Sequence, residues 1–148
     1  MKLTLHLLIC LLLAGCSAEK VSVDPLPSAA VFGKWKMKSY ADGKEIPFDV
    51  TIEMKSEKDS SGRYIIRGKS PLNFYFSTFE IDFTTKSIQL FDIQITKVEG
   101  ESNIVSFENT YYETLSKIVN YEVSSDGKTM KLLLPKSENQ HIMYDHLP

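Results

Sequence analysis

The sequence predicts a mainly β (α+β) fold: a curled or closed antiparallel sheet of about eight strands with one helix packed against it. Three observations lead to this prediction. From residue 31 onward, apolar and polar residues alternate with a period of two in several short runs. Turn signals such as Asp42-Gly43 and Asp126-Gly127 separate some of these runs. One stretch, between residues 102 and 120, has the period of a helix instead.

The first two predicted strands flank the Asp42-Gly43 turn. In the first strand, Trp35 and Met37 alternate with lysines, which we interpret as the solvent-facing side of the strand rather than as a phosphate site. In the second strand, four apolar residues alternate with polar ones, namely Phe48, Val50, Ile52 and Met54.

Further strands are predicted at residues 64–66, 74–76 and 79–83, which are rich in aromatic and β-branched residues. Pro71 and its small neighbours predict a bend before the second of these runs. Between residues 88 and 95 the apolar residues change face at Leu90 and Phe91, which predicts a β-bulge or a bend in that strand.

The predicted helix is defined by four apolar residues spaced four, four and three apart, namely Phe107, Tyr111, Leu115 and Ile118. Ser102 or Ser106 is the candidate N-cap. Glu108 and Lys117 are interpreted as charges that suit the two ends of the helix dipole, and Asn120 as the stop. The strands then resume at residues 121–123, 130–134 and 141–144.

The N-terminus predicts a secreted precursor. Met1-Lys2 is followed by an apolar run over residues 3–14, and at about twelve residues such a run is too short to cross a bilayer as a helix. The run ends in Leu13-Ala14-Gly15-Cys16, which resembles a bacterial lipobox. The resemblance implies a signal peptide over residues 1–15 and a diacylglyceryl lipid, with acyl chains such as palmitate, on Cys16. The alternative is an ordinary signal peptide followed by a chance cysteine.

These features predict the domain organisation and the location. Residues 1–15 form the signal peptide, 16–30 the lipidated N-terminus and a flexible tether containing Pro25 and Pro27, and 31–148 the β domain. Lipid on Cys16 would hold the protein to a membrane of the cell envelope. Ser17 favours the outer membrane, facing the periplasm, if the sorting rule of enteric bacteria applies.

Composition narrows the chemistry of the mature domain. Cys10 leaves with the signal peptide and Cys16 carries lipid, so no disulfide and no thiolate chemistry is predicted. The formal charge of −2, without a basic stripe, argues against nucleic-acid binding. No cofactor is predicted. His141 and His146 make a poor metal site, since neither a cysteine nor a matched carboxylate accompanies them, and are interpreted as surface histidines.

The order of elements and one segment resemble the META domain, the family of HslJ-like heat-inducible envelope lipoproteins. Gly33-Lys34-Trp35 resembles the opening G-x-W strand of that family. Residues 68–79 resemble its G-x-x-G-C-N-x-Y-x-G-x-Y segment, with matches at Gly68, Asn73 and Tyr75. Departures from the segment are Leu72 for Cys, Ser77 for Gly and Phe79 for the last Tyr. The resemblance covers residues 31–147 and implies an envelope protein of stress tolerance or surface biogenesis. It supplies no catalytic residue.

Asn73, Tyr75 and Trp35 are the candidate pocket or structural residues. The amide of Asn73 could contact a ligand in a small pocket, but we favour the interpretation that it satisfies loop backbone groups after the Pro71 bend. Trp35 could line a cavity, although a lone tryptophan on the first strand of a barrel is more typical of the core.

Three functional hypotheses follow from the sequence. The leading one is a non-catalytic envelope domain that acts through contacts with a protein or the cell wall, with an exposed apolar or aromatic patch that would include Tyr40, Tyr112 or Tyr144. The alternative is a lipocalin-like barrel that binds a small apolar ligand, whose identity the sequence does not give. The third is an enzyme with a carboxylate pair among Glu80, Asp82 and Asp92, but their spacing is that of strand-face charges, so no catalytic residue is assigned.

Overall fold

Eight antiparallel strands close into a barrel in which each strand pairs with its neighbours along the chain and the last pairs with the first. The computed structural model describes residues 28–135 and 140–148, so the predicted signal peptide and Cys16 lie outside the described residues. The strands are β1 (Gly33–Tyr40), β2 (Thr51–Lys58), β3 (Tyr64–Lys69), β4 (Phe74–Asp82), β5 (Ser87–Ile95), β6 (Asn120–Val123), β7 (Thr129–Leu133) and β8 (His141–Leu147). One helix, α1 (Ser102–Leu115), lies between β5 and β6. The predicted fold class is confirmed.

The period-two pattern places one side of each strand in the barrel interior. In β1, Trp35 and Met37 are buried while the lysines between them are exposed. The indole Nε1 of Trp35 donates a hydrogen bond to the carbonyl of Val31, 3.0 Å away, so the buried polar group of the ring is satisfied. Val31 belongs to a short 3₁₀ turn over Ser28–Val31, which places the chain entry beside the first strand.

Two strands differ from the predicted boundaries. Strand β4 runs unbroken over Phe74–Asp82, where two separate runs were predicted. Strand β2 begins at Thr51, and Phe48 instead packs on the ring of Phe107, with 4.6 Å between centroids. The bulge predicted near residues 90 and 91 is confirmed: the register against β4 shifts there, and Asp92 has a φ of 42°.

Helix α1 both starts and ends earlier than predicted. It begins at Ser102 after an N-cap at Glu101 that makes no side-chain capping bond, so neither Ser102 nor Ser106 is the cap. It ends at Leu115, and after a short turn the chain joins the sheet, where the Val119 amide donates to the carbonyl of Leu133. Pairing with β7 replaces helical hydrogen bonds here, and Asn120, predicted as the helix stop, begins β6.

The barrel has few hydrogen-bonded residue pairs at one place, the seam between β5 and β6. A single residue pair, Ser87 with Asn120, joins these strands in register. Two further backbone hydrogen bonds flank it, from Ile88 to the Val119 carbonyl and from Tyr121 to the Lys86 carbonyl. Neighbouring strand pairs share four or more residue pairs each, as in the register of β6 with β7. The connection that carries α1 enters the ring at this seam.

We predict that Gly68→Ala destabilises the domain by about 1–3 kcal/mol through overpacking. A Cβ at Gly68 would overlap the ring of Tyr75, its partner on β4. Replacing glycine by alanine within a strand ordinarily favours folding through the unfolded state, so a loss of stability isolates the steric term. The measurement is urea unfolding, with Arg67→Ala on the exposed face of the same strand as the control. Equal stability of the two variants would contradict the packing argument.

Candidate functional site

The site is centred on the turn between β3 and β4, residues 70–73. The amide of Ser70 donates to the carbonyl of Asn73 across the turn, at 2.8 Å. Ser70 and Asn73 are buried, while Pro71 and Leu72 at the tip are partly exposed. A turn of this kind leaves the amides of Leu72 and Asn73 without strand partners, and they need an acceptor from elsewhere in the fold.

Glu108 of α1 supplies that acceptor. Its Oε1 accepts hydrogen bonds from the amides of Leu72 and Asn73, at 2.9 and 3.0 Å, and from the hydroxyl of Ser70. Its Oε2 accepts a bond from Asn73 Nδ2 at 2.5 Å. The residue is only 3% exposed, and four donors around one carboxylate offset the cost of burying its charge. We call Glu108 with Ser70, Leu72 and Asn73 the carboxylate clamp.

Asn73 extends the clamp to the segment that follows β5. Its Oδ1 accepts hydrogen bonds from Thr96 Oγ1 at 3.0 Å and from the Val98 amide at 2.9 Å. The Val98 amide can only donate and the Glu108 carboxylate can only accept, so the two ends of the Asn73 amide cannot be exchanged. Asn73 therefore joins three parts of the chain: its own turn, α1, and residues 96–98.

The surroundings of Glu108 act on its pKa in two opposite directions. Burial raises the pKa, because a low-dielectric environment disfavours the charged carboxylate. The hydrogen bonds from Ser70, Leu72 and Asn73 lower it, and together they prevail, so the pKa of Glu108 lies below its ordinary value. The clamp thus holds a carboxylate anion, which is an acceptor at each of its bonds and does not serve as a proton donor near neutral pH.

Four tyrosines continue this network into the barrel. Ser70 has one hydroxyl proton, which goes to the carboxylate, so Ser70 accepts from the hydroxyl of Tyr112 at 2.7 Å. A second chain of hydroxyls runs from Tyr144 to Tyr111 to Tyr75, at 3.1 and 2.7 Å, and ends on the Thr51 carbonyl at 2.9 Å. Burial raises the pKa of Tyr75 well above its ordinary value, so the chain is neutral and positions α1 over the strands.

The candidate residues fall in two places. Asn73 and Tyr75 belong to the clamp and to the hydroxyl chain that adjoins it. Trp35 is fully buried, and its ring packs edge-on against His146 with 4.8 Å between centroids. The metal candidate His141 has a pKa lowered by burial and by the charge of Lys131. No group of three potential metal ligands occurs within residues 28–135 and 140–148.

The exposed patch predicted around tyrosines lies elsewhere. Tyr112 and Tyr144 are buried, so that prediction was wrong for both, because their hydroxyls are drawn into the internal networks. Tyr40 is partly buried. Four large apolar side chains are exposed where β4 begins and β5 ends, namely Phe74 at 63%, Phe76 at 37%, Ile95 at 37% and Val98 at 53%, and we call these four the outer patch. Phe74 and Phe76 project from the same side of β4, and Ile95 lines a shallow pocket with both rings.

Of the three carboxylates considered for catalysis, Glu80 and Asp82 line one open surface pocket and Asp92 lies outside it. Glu80 pairs with Arg63 Nε at 3.1 Å on the exposed side of β4. Asp82 accepts hydrogen bonds from the amides of Thr84 and Thr85, which lower its pKa. Asp92 is exposed at the bulge of β5. A lowered pKa is the opposite of what a general acid requires.

The sequence does not reveal the role of Glu108, which it predicts only as a charge that suits the positive end of the helix dipole. The residue lies in the second turn of α1, three and four positions before Tyr111 and Tyr112. That spacing places it on the buried face of the helix, and a carboxylate on an apolar face signals a buried acceptor that needs donors. The donors come from 35 or more residues earlier in the chain, so no local pattern identifies them.

Two of the residues at which the segment 68–79 departs from the family-like pattern, Leu72 and Ser77, leave the hydrogen bonds of the clamp in place. Leu72, where cysteine is common, takes part through its backbone amide, and its side chain packs against Gly100, where a Cβ would overlap it. Ser77, where glycine is common, is buried and donates to the Phe91 carbonyl at 2.5 Å, beside the bulge of β5.

Comparison with known proteins places the chain in a family. The META domain family model matches residues 29–146, and the chain belongs to this family. A solved structure of a protein from Burkholderia xenovorans shares 19% identity and a TM-score of 0.61, over 89% of this chain and 96% of that one. A DUF4847 family protein from Bacteroides vulgatus shares 16% identity and a TM-score of 0.56, over 80% and 96%. At these identities the two structures show a common fold. No curated protein matches the chain.

We predict that Glu108→Gln destabilises the domain by about 1–3 kcal/mol, because an amide NH₂ would face a donor that needs an acceptor. Asn73 cannot rotate its amide to compensate, since its Oδ1 is held by the Val98 amide. The control is Glu113→Gln on the exposed face of the same helix, where only the ion pair with Lys117 is lost. Chemical unfolding of both variants is the measurement, and a Glu113→Gln loss as large as that of Glu108→Gln would contradict the clamp.

The lowered pKa of Glu108 also predicts how this difference depends on pH. The stability that the ionised carboxylate contributes is present above its ordinary value of about 4.5 and declines as pH falls through the lower pKa of the folded state. The stability difference between the wild-type protein and Glu108→Gln should therefore be constant near neutral pH and shrink below about pH 4.5. Unfolding curves recorded from neutral to acid pH measure it. A difference that grows on acidification would be incompatible with a depressed pKa.

Proposed function

We propose that this chain is a lipid-anchored protein of the bacterial cell envelope whose META domain acts by contact and not by catalysis. The observation that carries the proposal is the outer patch. Phe74, 63% exposed, and Phe76 project from the same side of β4, and Ile95 and Val98 are exposed at and just after the end of the neighbouring strand β5. Contiguous exposed apolar surface on a soluble domain is characteristic of an interaction site.

The carboxylate clamp supports this proposal because its hydrogen bonds fix the backbone beside the outer patch. Phe74 directly follows Asn73, and its amide donates to Thr96 Oγ1 at 3.0 Å. The amide of Val98 is held by Asn73 on the other side. Hydrogen bonds to Thr96 and Asn73 thus fix the backbone at Phe74 on β4 and at Val98 in the segment after β5. A fixed surface loses less entropy when it binds a partner.

The anchor comes from the N-terminal sequence. Leu13-Ala14-Gly15-Cys16 supplies the lipobox-like cleavage site, and lipid on Cys16 with two or more acyl chains gives stable membrane attachment. In this proposal the signal peptide ends at residue 15, and the domain faces the periplasm from the outer membrane. Membership in the META family is consistent with an HslJ-like role in envelope stress tolerance or surface biogenesis.

The packing of the interior makes a contact function a better proposal than a lipocalin-like ligand barrel. The inward side chains of the strands and of α1 form one core cluster, and Trp35, Phe79, Tyr111 and Tyr144 within it are fully buried.

No helix in the described part of the chain is long and apolar enough to cross a membrane.

The anchor is tested by expressing the full-length chain in a bacterial host and measuring the mass of the mature protein extracted from membranes by mass spectrometry. We expect cleavage before Cys16 and a mass increase that corresponds to a diacylglyceryl group on that residue. Cys16→Ser should abolish both the lipid and the membrane attachment. Cys10→Ser is the matched control, because that cysteine lies in the segment to be removed and should change nothing. Mature protein that carries no lipid would refute the proposed anchor.

A further inference from the structure

We propose that the outer patch and the basic side chains around it dock the barrel on the anionic surface of the bilayer in which Cys16 is anchored. The proposal rests on the lipid anchor proposed above and identifies the contact of the META domain as lipid headgroups. It follows from the register of the strands, the charge around the patch, and the length of chain between the anchor and the barrel.

The register places a cation directly beside each exposed phenylalanine. On β3 and β4, Arg67 pairs with Phe76 and Lys69 pairs with Phe74. Paired residues on neighbouring antiparallel strands point to the same side of the sheet, and all four side chains are exposed. Two aromatic rings and two positive charges therefore share one outer surface.

Two further lysines border this surface. Lys97 lies between Ile95 and Val98 in sequence and is exposed. Lys34 belongs to the same row across the sheet as Arg67, since each of them pairs with Glu53 of β2, one on either side.

The four cations are available to a partner. None of Lys34, Arg67, Lys69 and Lys97 takes part in the six ion pairs of the described residues. Six other cations of the described residues face carboxylates, as Lys36 faces Asp49 and Lys38 faces Asp145, whereas Lys58, Lys86, Lys128 and Lys131 make no such pair. Glu53 and Glu99 are the acidic neighbours, and the four cations outnumber them. Although the chain has a net charge of −2, this surface is positive.

The chain enters the barrel beside this surface. Lys34 is the second residue of β1, and three strand spacings separate it from Phe76 in the row that runs through Glu53 and Arg67. At ~4.8 Å per strand, this is about 14 Å along the sheet. Ser28, the first described residue, is twelve residues after Cys16. Twelve residues span at most about 40 Å, so the anchor holds the domain within reach of the bilayer.

Aromatic rings flanked by basic groups suit a membrane interface. Phenylalanine side chains enter the boundary between headgroups and acyl chains, while lysine and arginine stay at the level of the phosphates. The anchor raises the effective concentration of the surface at the bilayer, so a contact too weak to recruit a free protein can still orient a tethered one. Unpaired cations around the patch favour anionic headgroups over an apolar protein surface as the partner.

The test uses the lipidated protein in vesicles of phosphatidylethanolamine and phosphatidylglycerol. After lipidation the mature chain has no other cysteine, so Val98→Cys gives a single thiol for an environment-sensitive fluorophore. Val119→Cys is the matched control, because Val119 is an exposed valine near the opposite end of β5. We expect a blue-shifted emission at position 98 that is absent at 119, and that is lost in phosphatidylcholine vesicles and in the Arg67→Glu/Lys69→Glu variant.

A second measurement separates docking from anchoring. The mature chain with Cys16→Ser cannot be held by lipid, and we expect it to cosediment with the anionic vesicles in a salt-sensitive manner. Phe74→Ser/Phe76→Ser and Arg67→Glu/Lys69→Glu should each weaken this binding by about tenfold or more. Lys44→Glu, in the loop after β1, should leave it nearly unchanged. Because all of these side chains are exposed, unfolding curves should show that each variant is folded.

The outcomes distinguish the two proposals. Equal emission at positions 98 and 119 in lipidated protein would overturn docking and leave the anchor standing. Vesicle binding by the Cys16→Ser chain, together with a mature protein that carries no lipid, would overturn the anchor and support the lipid surface. A stoichiometric protein partner in native mass spectrometry of membrane extracts, lost with Phe74→Ser/Phe76→Ser while vesicles are not bound, would assign the patch to a protein and overturn docking.

Discussion

One buried carboxylate organises the part of this protein that faces its surroundings. Glu108 reaches from the helix to the turn between β3 and β4, and through Asn73 it governs the segment after β5. A charge in this position is tolerated only where donors surround it, so the turn, the helix and the segment must take up their positions together. Removing any one donor would leave the others around an unsatisfied anion.

The same constraint joins the inside of the barrel to its outside. Asn73 is buried and Phe74, the next residue, is the most exposed of the large apolar side chains. Because alternate residues of a strand point to opposite sides, a clamp that fixes Asn73 also fixes the direction in which Phe74 projects. These exposed rings add little to the packing of the core, so folding does not account for their position, whereas the proposed docking on a lipid surface would.

Much of the fold could be predicted from local sequence. The alternation in β1 predicts which side of the strand is buried, and the change of face at Leu90 and Phe91 predicts the bulge of β5. Both predictions are possible because each pattern depends only on residues that are adjacent in sequence. The end of α1 could not be predicted this way. Ile118 fits the helical spacing, but the chain leaves the helix earlier since the backbone at Val119 pairs with Leu133, and that competition is decided by tertiary structure.

The candidate site was predictable only in part for the same reason. The sequence singles out Asn73 and favours a role in satisfying loop backbone groups, which follows from the chemistry of its side chain near a proline bend. It does not identify Glu108 as the partner, because the two residues are 35 positions apart and meet only when the helix is in place. The outer patch was expected around tyrosines. The hydroxyls of Tyr112 and Tyr144, however, find buried partners in this barrel, and the exposed rings are those of Phe74 and Phe76.

The thin seam between β5 and β6 has a consequence for how the barrel assembles. Strands β1 to β5 form a meander whose pairings join neighbours in sequence, whereas closure requires β8 to find β1 across more than a hundred residues. Contacts of high sequence separation form slowly, since a long loop must be ordered before they are gained. The β5–β6 junction has a single residue pair, fewer than any other strand pairing of the closed barrel. We therefore expect the amide hydrogens at this junction to exchange with solvent faster than those of the longer strand pairings.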